Sequence, residues 1–367
     1  MTKAAELAKM GEVLTNSQIG GRRNIIINGA MQVAQRGTTT TDSNGYGVDR
    51  FRGSIAAAVQ YVSAYTQSTT TPTGFVNSLK VATTTAETTF ATNFLSRMLY
   101  RIEGQDLQML NWGSSDAIPL TLSFHVRSNL TGTYGMEFRC NDGENSTNTQ
   151  TYTISSANTW EKKTILLPAN TSASIDNDNS NGFEIGWCLS AGTNFTTGTQ
   201  QSGYVNGPTT ANRFAGHNVN HSNSTSNEWY VTGVQLELGT ATPFEHRSFG
   251  EELALCQRYF SKTFPQGTTP VAGHNKYIYE HLEDYASGFS HLAYSYPVEM
   301  RTTPSTVMYT TADSNNGTGR VSYYDGAWKN AVASIMNTSN SANVNVQVDA
   351  TAAIKLVEYN LTADAEL

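Results

Sequence analysis

The densest group of side chains capable of chemistry lies in the stretch GTATPFEHRSFGEELALCQRYF, residues 239–260. Seven ionisable or nucleophilic residues fall within fourteen positions there: Glu245, His246, Arg247, Glu251, Glu252, Cys256 and Arg258. A cysteine nucleophile needs an adjacent base, so the catalytic interpretation pairs Cys256 with His246. Such a pair would make the protein a thiol enzyme.

The same stretch also has the features of a helix start. Ser248 and Glu251 have the S-x-x-E spacing of a capping box, which satisfies backbone N–H groups of the first turn. Glutamates in a first turn also complement the helix dipole. Four residues would then share one apolar face: Phe249, Leu253, Cys256 and Phe260. Because a thiol buried among apolar side chains is inert, we favour a strand-to-helix junction without catalysis.

One polar stretch could bind calcium. DNDNSNG, residues 176–182, offers oxygens at alternating positions, as a calcium loop does. It has Asn181 and Trp187 where an EF-hand needs Gly and Glu. We therefore favour a polar turn, and calcium near Asp176 and Asp178 is the weaker alternative.

Histidines offer a second place for a metal. His217 and His221 have the i,i+4 spacing that can hold a metal on a helix, but the Asn- and Gly-rich residues around them do not favour a helix. Three further histidines show no ligand spacing: His274, His281 and His291. The sequence therefore predicts no metal site and no cofactor.

Glycoside cleavage needs two carboxyl groups that the fold brings together in space. The acidic residues of the larger β-rich region are few, the main ones being Glu103, Asp106, Asp116, Glu137 and Glu184. No pair stands out among them. The sequence also lacks the G-x-S-x-G, H-E-x-x-H, P-loop and dinucleotide-binding motifs. We therefore predict that the protein is not an enzyme.

Exposed aromatic rings are the remaining candidates for a binding site. Four tryptophans fall in or beside predicted strands of the larger region: Trp112, Trp160, Trp187 and Trp229. At such positions a core role is commoner than a sugar platform. YYDGAWKN instead places Tyr323, Tyr324 and Trp328 around an Asp325-Gly326 turn. Rings at a turn are exposed more often, and their flat faces can stack on sugars, so these three form the predicted contact patch.

Composition indicates which elements position these residues. Of 367 residues, 38% are hydrophobic, and 18 Tyr, 14 Phe and 5 Trp supply large apolar area at few positions. Together with much Thr, Ser, Asn and Gly, this favours short strands joined by turns over long helices. The net charge of −7 argues against nucleic acid as a partner, because neutralising phosphates needs a basic face.

The three cysteines, Cys140, Cys188 and Cys256, are an odd number and cannot form a complete disulfide framework. A single Cys140–Cys188 bridge is conceivable. Buried free thiols in a protein made in a reducing cytoplasm are the favoured alternative.

Residues 1–23 predict a short helix. A helix through about Leu14 would place Leu7, Met10 and Leu14 along one face. So short a helix is marginal in water alone, and we expect it either to attach to a larger assembly and to copies of itself, or to fray. The stretch lacks the continuous apolar segment of a signal peptide, and the sequence predicts no membrane insertion.

Hydrophobic alternation divides the rest of the chain into three parts. Residues 24–247 predict about a dozen short strands, beginning with a hairpin at Asn28-Gly29, and this pattern indicates a jelly-roll β-sandwich. Within it, the polar stretch 192–227 predicts long surface loops. Residues 248–273 predict a connector helix and a linker. Residues 274–367 predict a smaller C-terminal β-rich domain, so the predicted fold class is mainly β with two short helices.

Several blocks of the sequence resemble a recurrent family of bacteriophage virion proteins. RRNIIINGAMQVAQRGTTTT followed by YGVDRFR is similar to the start of tail-fibre-type proteins of tailed phages, especially short-tailed marine ones. Three later blocks are also similar to the family: GQDLQMLNWGSSDAIPLTLSFHVRSNLTGTY, NTWEKKTILLP and VTGVQLELGTATPFEHRSFGEELALCQRYF. The resemblance extends over residues 24–260, and its specificity lies in the combination of blocks.

This resemblance implies a galactose-binding-like jelly roll, akin to carbohydrate-binding modules, on a virion appendage, and it implies no catalytic residues. The expected function is a fibre-type structural protein of the virion that binds a host surface glycan. The expected partners are copies of itself, as a homotrimer, and other virion proteins through the N-terminus. The expected location is the virion, after synthesis in the host cytoplasm. The alternatives are a purely architectural head-fibre, decoration or tail component, and a polysaccharide depolymerase.

Overall fold

The computed structural model describes residues 3, 23–41, 44–87, 89–143, 145–274, 278–285, 290–311, 319–324, 327–338, 343–348 and 354–367. The predicted attachment residues Leu7, Met10 and Leu14 lie outside this set. Within it the protein is mainly β, with antiparallel sheets and few helices. This observation confirms the predicted fold class.

The first part of the described chain forms two sheets. Their strands are β1 (Thr39–Thr40), β2 (Tyr46–Val48), β3 (Phe51–Ala56), β4 (Val62–Ser68), β5 (Ser78–Thr85), β6 (Leu95–Glu103), β7 (Leu120–Ser128), β8 (Gly132–Cys140), β9 (Ser146–Ile154), β10 (Glu161–Leu167), β11 (Asn181–Ala191), β12 (Val205–Asn206) and β13 (Glu228–Leu238). A six-stranded sheet has the order β1-β4-β5-β13-β7-β10, and a seven-stranded sheet has the order β12-β9-β8-β11-β6-β3-β2.

The two sheets pack face to face as a sandwich around one apolar core. Trp187 of β11 meets Phe124 of β7 edge to face, with ring centroids 6.0 Å apart. Trp229 of β13 donates its Nε1–H to the hydroxyl of Tyr152 on β9 at 3.1 Å. Each contact joins opposite sheets, and burying a Phe side chain alone contributes about 1.5–3 kcal/mol. Large rings therefore compensate for the low hydrophobic fraction of the sequence.

The predicted hairpin at Asn28-Gly29 is wrong, because the described residues on both sides of this turn form no strand. Asn28 has a left-handed φ of 61°, and its side chain supplies the hydrogen bonds that a partner strand would provide. It accepts from the backbone N–H of Val33 at 2.9 Å and donates to the carbonyl oxygen of Asp49 at 3.0 Å. Gly29 lies so close to β13 that an added Cβ would be 2.2 Å from the Val234 carbonyl oxygen.

The helices of the described chain are short. They comprise three 3-10 helices and two α-helices: η1 (Gly104–Leu110), α1 (Thr193–Thr196), η2 (Thr210–Asn212), η3 (His221–Asn223) and α2 (Phe249–Gln257). Within the part of the chain that the structure describes, no helix is long and apolar enough to cross a membrane.

The stretch 192–227 is only partly the surface loop that its composition predicts. Phe195 and Phe214 from this stretch are buried against Leu95 and Cys188 on the outer side of the seven-stranded sheet. These two apolar side chains thus attach the stretch to the sheet, although many of its other residues stay exposed. It forms a cover over part of that sheet.

Helix α2 begins at the predicted position. The Ser248 hydroxyl accepts the backbone N–H of Glu251 at 3.3 Å, as an N-cap does. Cys256 is fully buried with Ile27 and other apolar residues. Phe249, which was predicted on the buried face, is exposed at the first turn.

A third sheet, the C-terminal sheet, follows α2. Its strands are β14 (Phe260–Lys262), β15 (Ile278–Tyr285), β16 (Ser290–Ser295), β17 (Ser305–Tyr309), β18 (Arg320–Tyr324), β19 (Trp328–Thr338), β20 (Asn343–Val348) and β21 (Ile354–Asp364). The order is β14-β21-β18-β19-β20-β16, and β15 and β17 also pair with β21. The first strand, β14, lies within residues predicted as connector and linker, so the sheet begins directly after α2.

Buried charges fasten the end of β21 to the sandwich. Glu366 forms ion pairs with Arg50 and with Arg36, the latter at 3.4 Å. Arg301 donates its Nε–H to the carbonyl oxygen of Ala365 at 2.7 Å and its Nη1–H to the carbonyl oxygen of Asn179, in the loop before β11, at 2.8 Å. We call Arg36, Arg50, Arg301 and Glu366 the clasp, because they hold the C-terminal sheet against the sandwich.

Candidate functional site

The charged cluster between Glu245 and Arg258 is structural. Buried Arg247 donates to the carbonyl oxygen of Ile26 at 3.0 Å and to Glu252 Oε1 at 3.1 Å. Glu252 Oε2 accepts the backbone N–H of Asn28 at 2.5 Å. Burial raises the pKa of the Glu252 carboxyl above its ordinary value. The cluster therefore ties the start of α2 to the irregular segment before β1.

Cys256 and His246 do not form a nucleophile–base pair. Cys256 packs with Val33 and Tyr259, and burial raises the pKa of its thiol well above the ordinary value. The exposed ring of His246 packs on Phe244, with centroids 4.8 Å apart. The predicted strand-to-helix junction is confirmed by the start of α2 at its Ser248 cap, and Cys256 lies on the buried side of that helix.

Two of the five candidate carboxylates do meet. Arg97 of β6 donates to Glu137 at 3.0 Å and to Glu184 at 3.4 Å. Arg213 adds two bonds to Glu137, at 2.6 and 2.7 Å, and Arg101 adds one to Glu184 at 2.8 Å. Both carboxylates are buried and bound by guanidinium groups. All four carboxylate oxygens accept hydrogen bonds from guanidinium groups, so neither carboxyl group is open to a substrate. Arg213 belongs to the stretch 192–227, and its bonds to Glu137 hold this cover over the sheet.

The other three candidate carboxylates do not join this network. Glu103 is fully buried and accepts two hydrogen bonds from Arg258. Asp106 is exposed in η1, and Asp116 is exposed in the loop after it.

His217 and His221 are buried, but they do not share a ligand. His217 Nδ1 accepts the backbone N–H of Gly135 at 3.1 Å, whereas His221 Nδ1 lies 3.2 Å from the Thr83 hydroxyl. In the described part of the chain the Nε2 atoms of both rings lack a hydrogen-bond partner. Burial lowers the pKa of each imidazole to about 4. Each imidazole ring is therefore a buried structural group that contacts a neighbouring polar group and stays neutral at physiological pH.

Residues 177–180 form a bend between β10 and β11, as the polar-turn interpretation predicts, and Asn181 and Gly182 begin β11. Asp178 Oδ1 accepts the backbone N–H of Ser180 at 2.9 Å. The backbone N–H of Asp176 donates to Asp142 Oδ2 at 3.1 Å. Among the described residues, no group of three or more His, Cys, Asp or Glu side chains could hold a metal ion.

The three cysteines are buried free thiols, so the Cys140–Cys188 bridge does not form. Burial raises the pKa of Cys140 to about 11 and that of Cys188 well above the ordinary value. Cys140 belongs to the sandwich core, whereas Cys188 lies under the cover. The two side chains thus lie on opposite faces of the seven-stranded sheet.

The tryptophans of the sandwich have different environments. Trp187 and Trp229 are fully buried in the core, as predicted. Trp160 is half-buried and packs on Tyr230, with centroids 6.1 Å apart. Trp112 is 6% exposed and packs edge to face on the core residue Phe183. None of the four presents a fully open ring face.

The predicted aromatic patch is reduced to two residues. Tyr324 and Trp328 face each other across β18 and β19, are 36% and 47% exposed, and have ring centroids 5.5 Å apart at 57°. Tyr323 is only 6% exposed and packs in the core of the C-terminal sheet. This corrects its predicted role, because successive residues of a strand point to opposite faces. We call Tyr324 and Trp328 the aromatic platform.

Polar side chains lie next to the platform, on the same face of strands β18 and β19. Two residues further along each strand, Ser322 pairs with Asn330, and the Ser322 hydroxyl donates to Asn330 Oδ1 at 2.9 Å. Glu358 of β21 pairs with Ser322 on the other side and accepts from the Thr311 hydroxyl at 3.0 Å. These bonds fix the hairpin behind the rings. Asn330 is half-buried and lies two residues from Trp328 on the same face of β19.

The platform has the chemistry of a binding surface. Two flat rings present apolar area that can stack on the apolar face of a sugar, and the Asn330 amide can bond a hydroxyl. The platform lacks a nucleophile and an acid–base pair. Its geometry therefore suits recognition without covalent chemistry.

Comparisons with known proteins do not assign a family. No family model matches the sequence, and no curated protein matches it. Solved structures align weakly with it. The enzymatically active domain of bacteriophage CBA120 tailspike protein 4 aligns at 11% identity and a TM-score of 0.31, over 59% of this chain and 22% of the tailspike chain.

Two carbohydrate-binding modules align similarly. The family 11 module from Clostridium thermocellum, in complex with a β-1,3-1,4-mixed-linked tetrasaccharide, shares 13% identity at a TM-score of 0.27, over 57% of this chain and 98% of the module. TmCBM61, in complex with β-1,4-galactotriose, shares 8% identity at a TM-score of 0.27, over 59% of this chain and 100% of the module. At these TM-scores the likenesses carry no conclusion about function.

Proposed function

We propose that the protein is a structural component of a tailed-phage virion that binds a host surface glycan through the aromatic platform. The observation that carries the proposal is the exposed pair Tyr324 and Trp328, whose rings project from the C-terminal sheet. Large rings gain free energy by burial, so a pair held in solvent by a bonded hairpin is favourable for ligand contact. The virion location is supported by the tail-fibre-type sequence blocks between residues 24 and 260.

A single platform of two rings is a weak site. Its dissociation constant for one short glycan is expected on the order of 1 mM. A homotrimer would present three platforms together, and linked sites raise the overall affinity by effective concentration. We assign oligomerisation and attachment to the virion to the N-terminal segment with Leu7, Met10 and Leu14.

The test is binding of the purified full-length protein to an array of bacterial surface glycans. We expect wild type to bind a subset of glycans, and Trp328→Ala and Tyr324→Ala each to weaken that binding at least tenfold. Trp160→Ala is the matched control, because it removes a half-buried ring from the sandwich and leaves the platform intact. Equal binding by wild type and both platform variants would contradict the assignment.

Phage particles that carry Tyr324→Ala/Trp328→Ala distinguish receptor binding from a purely architectural role. Normal particle yield with lost adsorption to host cells supports glycan recognition. Normal yield with unchanged adsorption supports architecture alone. The double substitution suits this purpose better than removal of residues 265–367, which would also remove β21 and part of the clasp.

A further inference from the structure

The edge strand β12 carries an asparagine–glycine pair, a sequence with its own covalent chemistry. In such a pair the glycine nitrogen can attack the asparagine amide carbon, because glycine has no Cβ to hinder the approach. In a folded protein the attack also requires backbone that can move. The sequence contains five of these pairs, of which the structure describes the four at Asn28, Asn44, Asn181 and Asn206, while Asn316 lies outside the described residues.

The pair at Asn28 is held on both sides. Its amide side chain accepts the backbone N–H of Val33 at 2.9 Å and donates to the carbonyl oxygen of Asp49 at 3.0 Å. An added Cβ at Gly29 would lie 2.2 Å from the Val234 carbonyl oxygen, so the backbone there is wedged against β13. Neither the amide carbon nor the attacking nitrogen can move without local unfolding.

The pairs at Asn181 and Asn44 are held through their glycines. Gly182 is buried in β11, and an added Cβ there would lie 2.7 Å from the Cα of Gly104. Asn44 is exposed, but Gly45 is buried and its carbonyl oxygen accepts the backbone N–H of Gly53 at 2.9 Å. In both pairs the attacking nitrogen belongs to a buried residue.

The pair Asn206-Gly207 has a different environment. Both residues are exposed, and no heavy atom of the described chain lies within 4 Å of an added Cβ at Gly207. Strand β12 has only two residues and lies at the edge of the seven-stranded sheet, where it pairs with β9. Backbone with so few ladder contacts opens at low free-energy cost. Among the four described pairs, this is the one in which both residues are exposed.

We propose that Asn206 is a site of spontaneous deamidation in the folded protein. The nitrogen of Gly207 forms a bond to Cγ of Asn206, the Cγ–Nδ2 bond breaks, and ammonia leaves with the proton of the glycine N–H. Water then opens the cyclic imide and gives aspartate or isoaspartate. The site goes beyond the proposed function, because it concerns a covalent change on the sandwich and does not involve the aromatic platform.

The isoaspartate product should alter the fold locally. Its main chain is longer by a methylene group, so residue 206 can no longer keep its register opposite Ser146 of β9. Strand β12 directly follows Tyr204, whose ring packs on Trp112 with centroids 5.0 Å apart. Isoaspartate should therefore release β12 and loosen this end of the cover formed by residues 192–227. Ordinary aspartate adds a negative charge and leaves the register unchanged.

Peptide mapping by mass spectrometry tests the proposal, because deamidation adds about 1 Da at the modified residue. The full chain is incubated at physiological pH and temperature, both native and unfolded in guanidinium chloride. The ratio of the two rates reports how far the fold protects each asparagine. We expect Asn206 to react in the native protein within about threefold of its unfolded rate, and Asn28 and Asn181 to be slowed at least about tenfold. Asn44 should also be slowed.

Two substitutions at residue 206 separate the reaction from its consequence. Asn206→Gln should abolish the mass gain at this position, because the longer side chain closes the ring poorly. Asn206→Asp supplies the charge without the longer main chain. Hydrogen exchange in the peptide that holds β12 should rise in aged wild type, and it should stay at the level of fresh wild type in both variants after the same incubation.

Protection of Asn206 by about tenfold or more in the native protein would overturn the proposal. Equal native rates at Asn206 and Asn28 would also overturn it, because the fold would then not select the site. A mass gain at Asn206 with unchanged hydrogen exchange would overturn the release of β12. None of these measurements involves a glycan, so their failure leaves the proposed function intact.

Discussion

Arg258 and Glu103 join the end of the connector helix to the sandwich through two parallel hydrogen bonds, Nε to Oε1 at 2.8 Å and Nη2 to Oε2 at 2.7 Å. The Tyr259 hydroxyl also donates to Glu103 Oε1, at 2.5 Å. The carboxylate is fully buried at the end of β6, whereas the guanidinium is partly open. A bidentate pair of this kind fixes distance and direction together.

Arg258→Ala is therefore expected to destabilise the protein strongly. Removal of the cation leaves Glu103 buried without its counter-charge, which lowers the free energy of unfolding by about 3 kcal/mol. Urea denaturation measures this change. Arg127→Ala is the control, because Arg127 lies at the surface over Tyr230 and its loss should lower that free energy by no more than about 1 kcal/mol. Equal effects of the two substitutions would contradict the importance of the buried pair.

Acid should destabilise the fold through two histidines. The pKa values of His217 and His221 are lowered to about 4 by burial, whereas an unfolded chain has an imidazole pKa of about 6.5. The unfolded state therefore takes up protons first, and the free energy of unfolding falls between pH 6.5 and pH 4 and levels off below. Each histidine contributes on the order of 3 kcal/mol to this fall.

Thermal unfolding midpoints across this pH range measure the effect. His221→Gln removes the share of one ring and should flatten the pH dependence, and His217→Gln should flatten it by a similar amount. A slope that is the same in wild type and in both variants would show that other groups control acid stability.

Substitution by alanine should change the free energy of unfolding in opposite directions at two glycines, Gly29 and Gly250. At Gly29 the new Cβ would lie 2.2 Å from the Val234 carbonyl oxygen, so Gly29→Ala is expected to lower the free energy of unfolding by about 2–3 kcal/mol. At Gly250, in the exposed first turn of α2, the new Cβ would have no heavy atom within 4 Å. Gly250→Ala should therefore raise the free energy of unfolding by about 0.5–1 kcal/mol. Chemical denaturation of both variants measures the two shifts, and a stable Gly29→Ala protein would contradict the close approach to β13.

The three cysteine thiols should not react with a disulfide reagent until the protein unfolds. Burial raises the pKa of all three cysteines, and a thiol must lose its proton before it attacks a disulfide reagent. We expect negligible reaction with Ellman's reagent at pH 8 in the native protein, and three thiols in urea without reductant. Ser114→Cys provides a positive control at an exposed position. One thiol in urea in place of three would indicate a disulfide.

Local patterns predicted much of the fold and part of the site. Alternation identified β13, and the S-x-x-E spacing identified the start of α2 at Ser248, because both signals arise from neighbouring residues. The same alternation rule shows that the prediction of three exposed aromatic rings was wrong for one of them. Tyr323 and Tyr324 are adjacent in a strand, so only one of the two rings could face solvent.

Long-range contacts account for what the sequence did not reveal. Asn28-Gly29 has the composition of a hairpin turn, but the Asn28 side chain bonds Val33 and Asp49, and nothing local indicates that. The meeting of Glu137 and Glu184 depends on the neighbouring positions of β8 and β11 in the sheet. The burial of Trp112 likewise depends on Phe183 and Tyr204, which are far from it in sequence, so local patterns could not predict its environment.

Strand β21 gives the protein a continuous path for mechanical force. Its first half pairs with β18, which carries Tyr324, and its last residues pair with β14, which directly follows α2. Beyond it, the clasp anchors Glu366 to the sandwich. Hydrogen bonds between antiparallel strands lie perpendicular to the strand axis, so tension along β21 loads them in shear and many must break together. Under the proposed function, tension applied at Tyr324 and Trp328 would reach the sandwich through these hydrogen bonds.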